Sequence, residues 1–393
     1  MKIYAVGGAV RDRLLERPVH DCDHVVVGAT PEILLAQGFL PVGKDFPVFL
    51  HPETHAEYAL ARTEKKHGHG YHGFLFHAAP DVTLEEDLAR RDLTINAMAE
   101  DDTGQIIDPF GGQQDLKAKV LRHVSPAFAE DPVRILRIAR FAARFADFSI
   151  APETLALMRR MVADGEVDHL VAERVWQEIA RGLMEDTPSR MIETLRDCGA
   201  LARLMPEVEA LFGVPERLDF HPEGNSGYHL LLVLDAAARL GLSLPARYAA
   251  LCHDLGKAAT PRENWPHHHG HDVLGVPIAN ALSARLKVPN DCRDLAALTC
   301  REHINIHYVS REAGQSGMRP GKMAALLERC DLRRRPQRFA QLLDACHADH
   351  CGRIGHSAPF SQEAIWHKAA QAFLAVDDGA IARAWLAQGG DPK

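Results

Sequence analysis

Residues 4–12 read YAVGGAVRD and residues 20–28 read HDCDHVVVG. The first stretch is a short apolar strand, Lys2–Val6, that runs into Gly7-Gly8 and then a helix carrying Arg11. Glycines at such an elbow leave backbone N–H groups open to a phosphate at the positive start of a helix, and Arg11 adds charge one turn on. A Gly-Gly pair alone equally makes a plain tight turn. In the second stretch Asp21 and Asp23 stand two apart as a β run begins, so both carboxylates point to one face. Two acids so placed repel unless a cation lies between them, and oxygen-only ligands favour Mg²⁺. A solvated turn before a strand gives the same spacing. Its place soon after the glycine elbow makes the pair specific.

Outward from these motifs, β-type runs at Val48–His51 and Glu57–Arg62 alternate with helical segments through residue 140, so the head is α/β or α+β. Glu57 either supplies a third carboxylate or is an exposed strand residue. Residues 87–98, DLARRDLTINAM, set Arg90 and Arg91 beside an acid and an amide. The rigid fork of Arg91 suits phosphate; pairing with Asp87 or Asp92 on a helix surface is the alternative. In residues 130–144, EDPVRILRIARFAAR, Pro132 fits the first helical position with Asp131 as N-cap. Arg134, Arg137, Arg140 and Arg144 fall within about 120° of one another on that helix. Four cations on one stripe repel unless an anion, such as a triphosphate or RNA backbone, offsets them.

The 393 residues are 46% hydrophobic and 25% charged, an ordinary globular composition that excludes collagen-like, disordered and disulfide-scaffold chains. No apolar run approaches the roughly 20 residues of a membrane span. The first residues meet Arg11-Asp12-Arg13 too early for a signal peptide, so a cytoplasmic location is expected. Eight scattered cysteines without a CxxC pair read as buried thiols. The net charge of −8 argues against a nonspecific polyanion coat and leaves room for a local basic groove.

A second constellation lies in the later half. Residues 251–257, LCHDLGK, place His253-Asp254 in an apolar helical setting, with His229 upstream and GHDVLG (270–275), His303 and Asp349 downstream. One histidine on an apolar helix is usually a core residue, but an adjacent His-Asp before Leu-Gly-Lys, with another His on the preceding helix, is less readily a core pattern. The basic, histidine-rich run from Lys65 to His72 is read as a loop near the nucleotide site. His267-His268-His269 is read as mostly solvated. Arg333, Arg334, Arg335 and Arg338 are read as an exposed helix start, with a nucleic-acid phosphate as the alternative partner.

In order and spacing, GGAVRD, DCD, RRDLTINAM and EDPVRILRIARFAARF resemble the class II tRNA nucleotidyltransferases, CCA-adding enzymes of the polymerase-β-like superfamily. The later half resembles the HD phosphohydrolases. Nearly the whole chain is similar to the bacterial multifunctional CCA proteins, which join both modules. The resemblance implies an α+β fold: a mixed-sheet head (1–140), a helical neck and body (141–225), an all-α HD domain (228–330, or to about 350) and a helical tail (331–393). It implies catalytic Asp21 and Asp23 holding Mg²⁺, and Gly8, Arg11, Arg91, Arg137 and Arg140 on incoming CTP or ATP. Asp131 and Arg134 would face the base, while Glu57 matches the third acid less securely. The implied reaction is two-metal nucleotidyl transfer that adds and repairs the tRNA 3′-terminal CCA without a template, releasing pyrophosphate. For the HD site it implies His229, His253 and Asp254, with His271, His303 and Asp349 less firmly matched, holding Ni²⁺, Mn²⁺, Co²⁺ or Fe. That site implies phosphatase, 2′-nucleotidase and 2′,3′-cyclic phosphodiesterase activity. The expected partners are the tRNA 3′ end, ATP and CTP, with no membrane, in a monomer or homodimer. The alternatives are a poly(A) polymerase of the same class, a catalytically dead tRNA binder, and an HD enzyme with an RNA-anchoring head.

Overall fold

The computed structural model describes residues 1–19, 21–42, 48–66, 74–219, 221–309, 317–355 and 358–388. The chain forms two compact units, residues 1–182 with 190–204, and residues 183–189 with 205–393.

The first unit is built on a seven-stranded mixed sheet. Its strands are β1 (Lys2–Val6), β2 (Asp23–Val27), β3 (Leu40–Val42), β4 (Val48–Leu50), β5 (Glu57–Leu60), β8 (Ala99–Glu100) and β9 (Ile106–Ile107), with a separate hairpin of β6 (Thr63–Lys66) and β7 (Phe74–His77). Across the sheet the order is β3-β4-β5-β2-β1-β8-β9, and only β2 and β5 run parallel. Side chains alternate between faces in a strand. Thus the neighbours Val25 and Val26, both 1% exposed, enter two different cores. Val25 packs with Val6, Leu88 and Ala97; Val26 packs with Leu34, Phe39 and Leu60. Both faces of β2 are therefore covered, and only its leading end, at Asp23, is exposed.

The sheet carries α1 (Gly8–Leu14), α2 (Pro31–Ala36), α3 (Leu84–Ala89) and α4 (Gly112–Ala118). Thr83 and Glu86 start α3 with a capping box. The chain then becomes helical: α5 (Val133–Arg144), α6 (Pro152–Ala163), α7 (Ala172–Leu183), α8 (Ser189–Asp197) and α9 (Ala200–Leu204). Lys65 and Lys66, expected in a loop, lie in the β6–β7 hairpin, and His67, His69 and His72 fall outside the described residues.

The second unit is helical: α10 (Pro206–Ala210), α11 (Ser226–Arg239), α12 (Leu244–Cys252), α13 (His271–Arg285), α14 (Asn290–His307), α15 (Pro320–Arg329), α16 (Pro336–Cys351), α17 (Gln362–Ala375) and α18 (Asp378–Ala387). Leu295, Leu326, Phe339, Cys346 and Trp366 share one core, so α17 packs with α14, α15 and α16. Trp366 also donates its indole N–H to the Ile306 carbonyl at 3.1 Å. In the arginine run, Arg333 donates to the Phe373 and Val376 carbonyls while Arg334 and Arg335 face Asp331, so the chain itself engages these charges. All eight cysteines are free, and burial pushes the Cys198 thiol up to about 11. Among the described residues no helix is long and apolar enough to cross a membrane.

Candidate active sites

In the first unit, a cavity of about 780 Å³ is lined by Gly8, Arg11, Asp21, Asp23, Arg91, Asp131, Arg134, Arg137 and Arg140, every residue the motifs singled out for nucleotide chemistry. Pairing of β1 with β2 explains the meeting of the first motifs: Val6 stands opposite Asp23, so Gly7 begins where the acid pair ends. Gly7 has φ 71°, and a Cβ there would sit 2.8 Å from Nη1 of Arg91, so glycine answers both the backbone and the approach of the guanidinium. Asp21 and Asp23 are exposed on the cavity wall. Their oxygen-only donor set fits a hard divalent cation. Glu57 neighbours Asp23 across the parallel β2–β5 pair and lines with it a smaller depression of about 170 Å³, which shares Asp23, Arg62, Arg90 and Arg91 with the main cavity.

The arginines are held by acids that the sequence motifs did not connect. Arg11 is 3% exposed, donating from Nε to Asp12 at 2.8 Å and from Nη1 to the Asn96 side-chain oxygen at 2.5 Å. Burial pulls its pKa below the ordinary arginine value, against Asp12, which raises it. Arg137 donates to Asp92 at 2.7 Å, Arg140 to Glu178 at 2.7 Å and Arg144 to Asp12 at 2.9 Å. The expectation that a ligand must offset the α5 stripe is therefore corrected: Asp92, Glu178 and Asp12 already partner Arg137, Arg140 and Arg144. Burial acts to raise the Asp92 pKa, but the Arg137 guanidinium and a hydrogen bond from Asn96 hold it well below the carboxylate range. Arg91 faces Asp87 at 3.3 Å, the ion pair expected as the alternative, and also lines the cavity. Its Nε is buried without a hydrogen-bond partner among the described residues.

Arg134 donates to the carbonyls of Ala127 (3.0 Å) and Arg90 (2.6 Å), which fixes its fork at the cavity. Helix α5 begins at Val133, one residue later than expected, with Pro132 as its cap residue. The Asp131 carboxylate still accepts from the Val133 N–H at 3.1 Å, and its other oxygen accepts from Arg174 at 2.8 Å. Asp12, Glu178 and Arg174 lie far in the chain from Arg144, Arg140 and Asp131 respectively. Only their charge distinguished them, which left no local signal.

In the second unit, His229 (α11), His253 and Asp254 (after α12), His271 (start of α13), His303 (α14) and Asp349 (α16) are all buried. His229, His253 and Asp349 form one set of close ligand atoms, and Asp254, His271 and His303 another. His229 Nε2 is 3.0 Å and His253 Nε2 3.9 Å from Asp349 Oδ1; His271 Nε2 is 3.3 Å and His303 Nε2 3.5 Å from Asp254 Oδ1. Carbonyl oxygens only accept, so His253, His271 and His303 donate from Nδ1 to the carbonyls of Ala250, His268 and Cys300. That fixes the tautomer and turns each Nε2 into the cluster. His253 Nε2 and Asp254 Oδ1 are buried with no hydrogen-bond partner among the described residues. Orphaned donor atoms converging among mixed imidazoles and carboxylates fit a divalent transition metal.

Local packing explains the motif glycines: a Cβ on Gly256 would lie 2.0 Å from the His271 carbonyl and 2.5 Å from the Gly275 nitrogen. Only glycine lets the turn carrying Asp254 approach α13. Around the cluster stand His221, Glu223 and His307, which the motifs did not indicate, and His307 Nε2 lies 2.6 Å from Asp349. Lys257, read only as part of LCHDLGK, bridges Asp254 (2.8 Å) and Glu216 (2.6 Å). Of the 267–269 run, His267 and His269 are exposed as expected, whereas His268 contacts the Pro215 carbonyl and the Thr260 hydroxyl.

Comparison with known proteins follows the same division. Family profiles described as poly A polymerase head domain, probable RNA and SrmB-binding site of polymerase A, and HD domain match residues 3–122, 147–212 and 227–349. The chain is 65% identical to the multifunctional CCA protein of Dechloromonas aromatica (strain RCB), over 97% of this chain and 92% of that one. It is 62% identical to that of Paraburkholderia phytofirmans, over 98% and 94%. A crystal structure of the Bacillus stearothermophilus CCA-adding enzyme in complex with CTP is similar with a TM-score of 0.61 and 25% identity, over 95% of this chain and 78% of that one. With its polymerase-β-like head, mostly helical body and HD domain, the chain belongs to the multifunctional CCA protein family.

Proposed function

We propose that the chain adds and repairs the 3′-terminal CCA of tRNA from CTP and ATP, and that its HD domain hydrolyses phosphate esters. The observation that carries the first part is the shared cavity, in which an acid pair faces a wall of fixed arginines. Asp21 and Asp23 would hold Mg²⁺, which when bound neutralises charge on the triphosphate and favours ionisation of the RNA 3′-hydroxyl. Gly8, Arg11, Arg91, Arg137 and Arg140 bind and orient the triphosphate, so that the 3′-hydroxyl displaces pyrophosphate in line.

The pairing edges of cytosine and adenine offer an amino donor beside a ring-nitrogen acceptor; those of uracil and guanine offer a carbonyl beside a ring N–H. Asp131 accepts from the amino group and Arg134 donates to the ring nitrogen, which admits C and A and rejects U and G. The carbonyls that anchor Arg134 support this role, since a mobile fork would read an edge poorly. A tRNA ending before its CCA, incubated with Mg²⁺ and single nucleotides, tests the reading. C and then A should be incorporated, while an A tail without C would indicate a poly(A) polymerase.

In the second unit, His229, His253, Asp254, His271, His303 and Asp349 would hold the divalent metal, with Ni²⁺, Mn²⁺ and Co²⁺ the best chemical match to the donors. Bound there, it supplies Lewis-acid activation of a phosphate ester. Lys257 and Glu216 hold Asp254 in place, and the carbonyl-anchored Nδ1 atoms orient the imidazoles. The substrates we assign are 2′,3′-cyclic phosphates, 2′-nucleotides and phosphomonoesters, as at damaged tRNA ends. Division into head (1–140), neck and body (141–225), HD domain (228–330, extended by the helix to about 350 that carries Asp349) and a helical tail, with a cytoplasmic location, completes the reading.

A further inference from the structure

We propose that Arg353, one residue beyond the C-cap of α16, is a phosphate-binding residue of the HD site. The inference rests on reading the second unit as a phosphohydrolase. Arg353 lines two adjoining compartments, one of about 400 Å³ bordered by Asp254, His303 and Asp349, the other of about 380 Å³ bordered by His267, His268 and His269.

A basic residue just past a helix C-terminus ordinarily serves the helix dipole or a neighbouring acid. Here the acid is already engaged. Asp349 contacts His229 at 3.0 Å and His307 at 2.6 Å, and Arg353 Nη2 makes only a longer ion pair with it at 3.7 Å, beyond hydrogen-bond range. The Nε of Arg353 is buried and makes no hydrogen bond among the described residues. An orphaned guanidinium donor is costly unless a partner arrives. The other cation shared by both compartments, Lys257, is clamped between Asp254 and Glu216. Arg353 is thus the cation with donor capacity to spare at the junction, next to the ligand cluster. A planar fork there matches two non-bridging phosphate oxygens, with the remainder of a nucleotide directed into the histidine-lined compartment.

The test uses the full chain with Arg353→Ala and Arg353→Lys. Calorimetric titration of the Ni²⁺-loaded protein with inorganic phosphate should show affinity falling roughly ten- to hundredfold in R353A, with partial recovery in R353K. KM for p-nitrophenyl phosphate should rise in parallel with kcat little changed, and Ni²⁺ affinity, measured alone, should stay at the wild-type value. Nucleotidyl transfer and thermal midpoint serve as folding controls. Unchanged phosphate affinity overturns the inference, as does a Ni²⁺ affinity that falls in step, since Arg353 would then act only through Asp349. A wild-type protein that hydrolyses no phosphate ester contradicts the phosphohydrolase reading instead, and the phosphate titration still decides the role of Arg353.

Discussion

Arg134 is gripped by two backbone carbonyls, so its removal should cost selectivity before it costs triphosphate affinity. Arg134→Ala is expected to narrow the kcat/KM preference for CTP and ATP over UTP and GTP by about tenfold or more. Uniformly weaker binding of CTP and ATP with selectivity intact would contradict the base-reading role. Asp92 plays a different part, as the buried acid under Arg137. Asp92→Asn removes the charge that partners Arg137, whose side chain is 35% exposed, and should destabilise the first unit by about 1–3 kcal/mol, read as a lower denaturation midpoint. The pH sense follows from the lowered pKa. Its contribution is present above the unfolded value of 3.8 and is lost as pH falls through the lower folded value. The variant should therefore lose part of the acid-side slope of stability, and an unaltered slope would exclude Asp92 as its source.

At the scale of elements, β1 with α1, the start of β2, and α5 bring the chemistry together, and each was visible in the chain. The β run beginning at Asp23 marked a strand, and the run from Pro132 to Arg144 marked a helix with a cationic stripe. What partnered the stripe was not visible, because Asp12 and Glu178 reach it through tertiary packing rather than spacing. The short strands β3, β8 and β9 were equally silent: two or three residues cannot display a period. In the second unit the motif glycine has an element-scale role. Gly256→Ala would force its turn from α13, and is expected to lower both the stability of that unit and its metal affinity. Wild-type values for both would mean that the approach of turn and helix is not needed.

For the whole molecule, the two compact units each hold their own cluster of functional groups. Histidine 253 contributes nothing to the cavity of the first unit, so His253→Ala should abolish phosphohydrolysis while CCA addition continues. Loss of both activities in a folded variant would instead favour an HD enzyme with an anchoring head. The paired motifs made the two-module plan legible, whereas the surrounding His221, Glu223 and His307 could be recognised only once the helices had placed them beside Asp349 and His229.

The most direct measurement is stepwise extension of a tRNA lacking CCA, with Mg²⁺ and each nucleotide in turn, comparing wild type with Asp21→Ala. Asp21 is exposed, so its replacement should leave folding within about 0.5 kcal/mol of wild type. Wild type should add C, C and then A, and Asp21→Ala should lose at least about a hundredfold in rate, as expected when a metal-holding acid is removed. Undiminished extension by the folded variant, or no extension by wild type, would contradict the account.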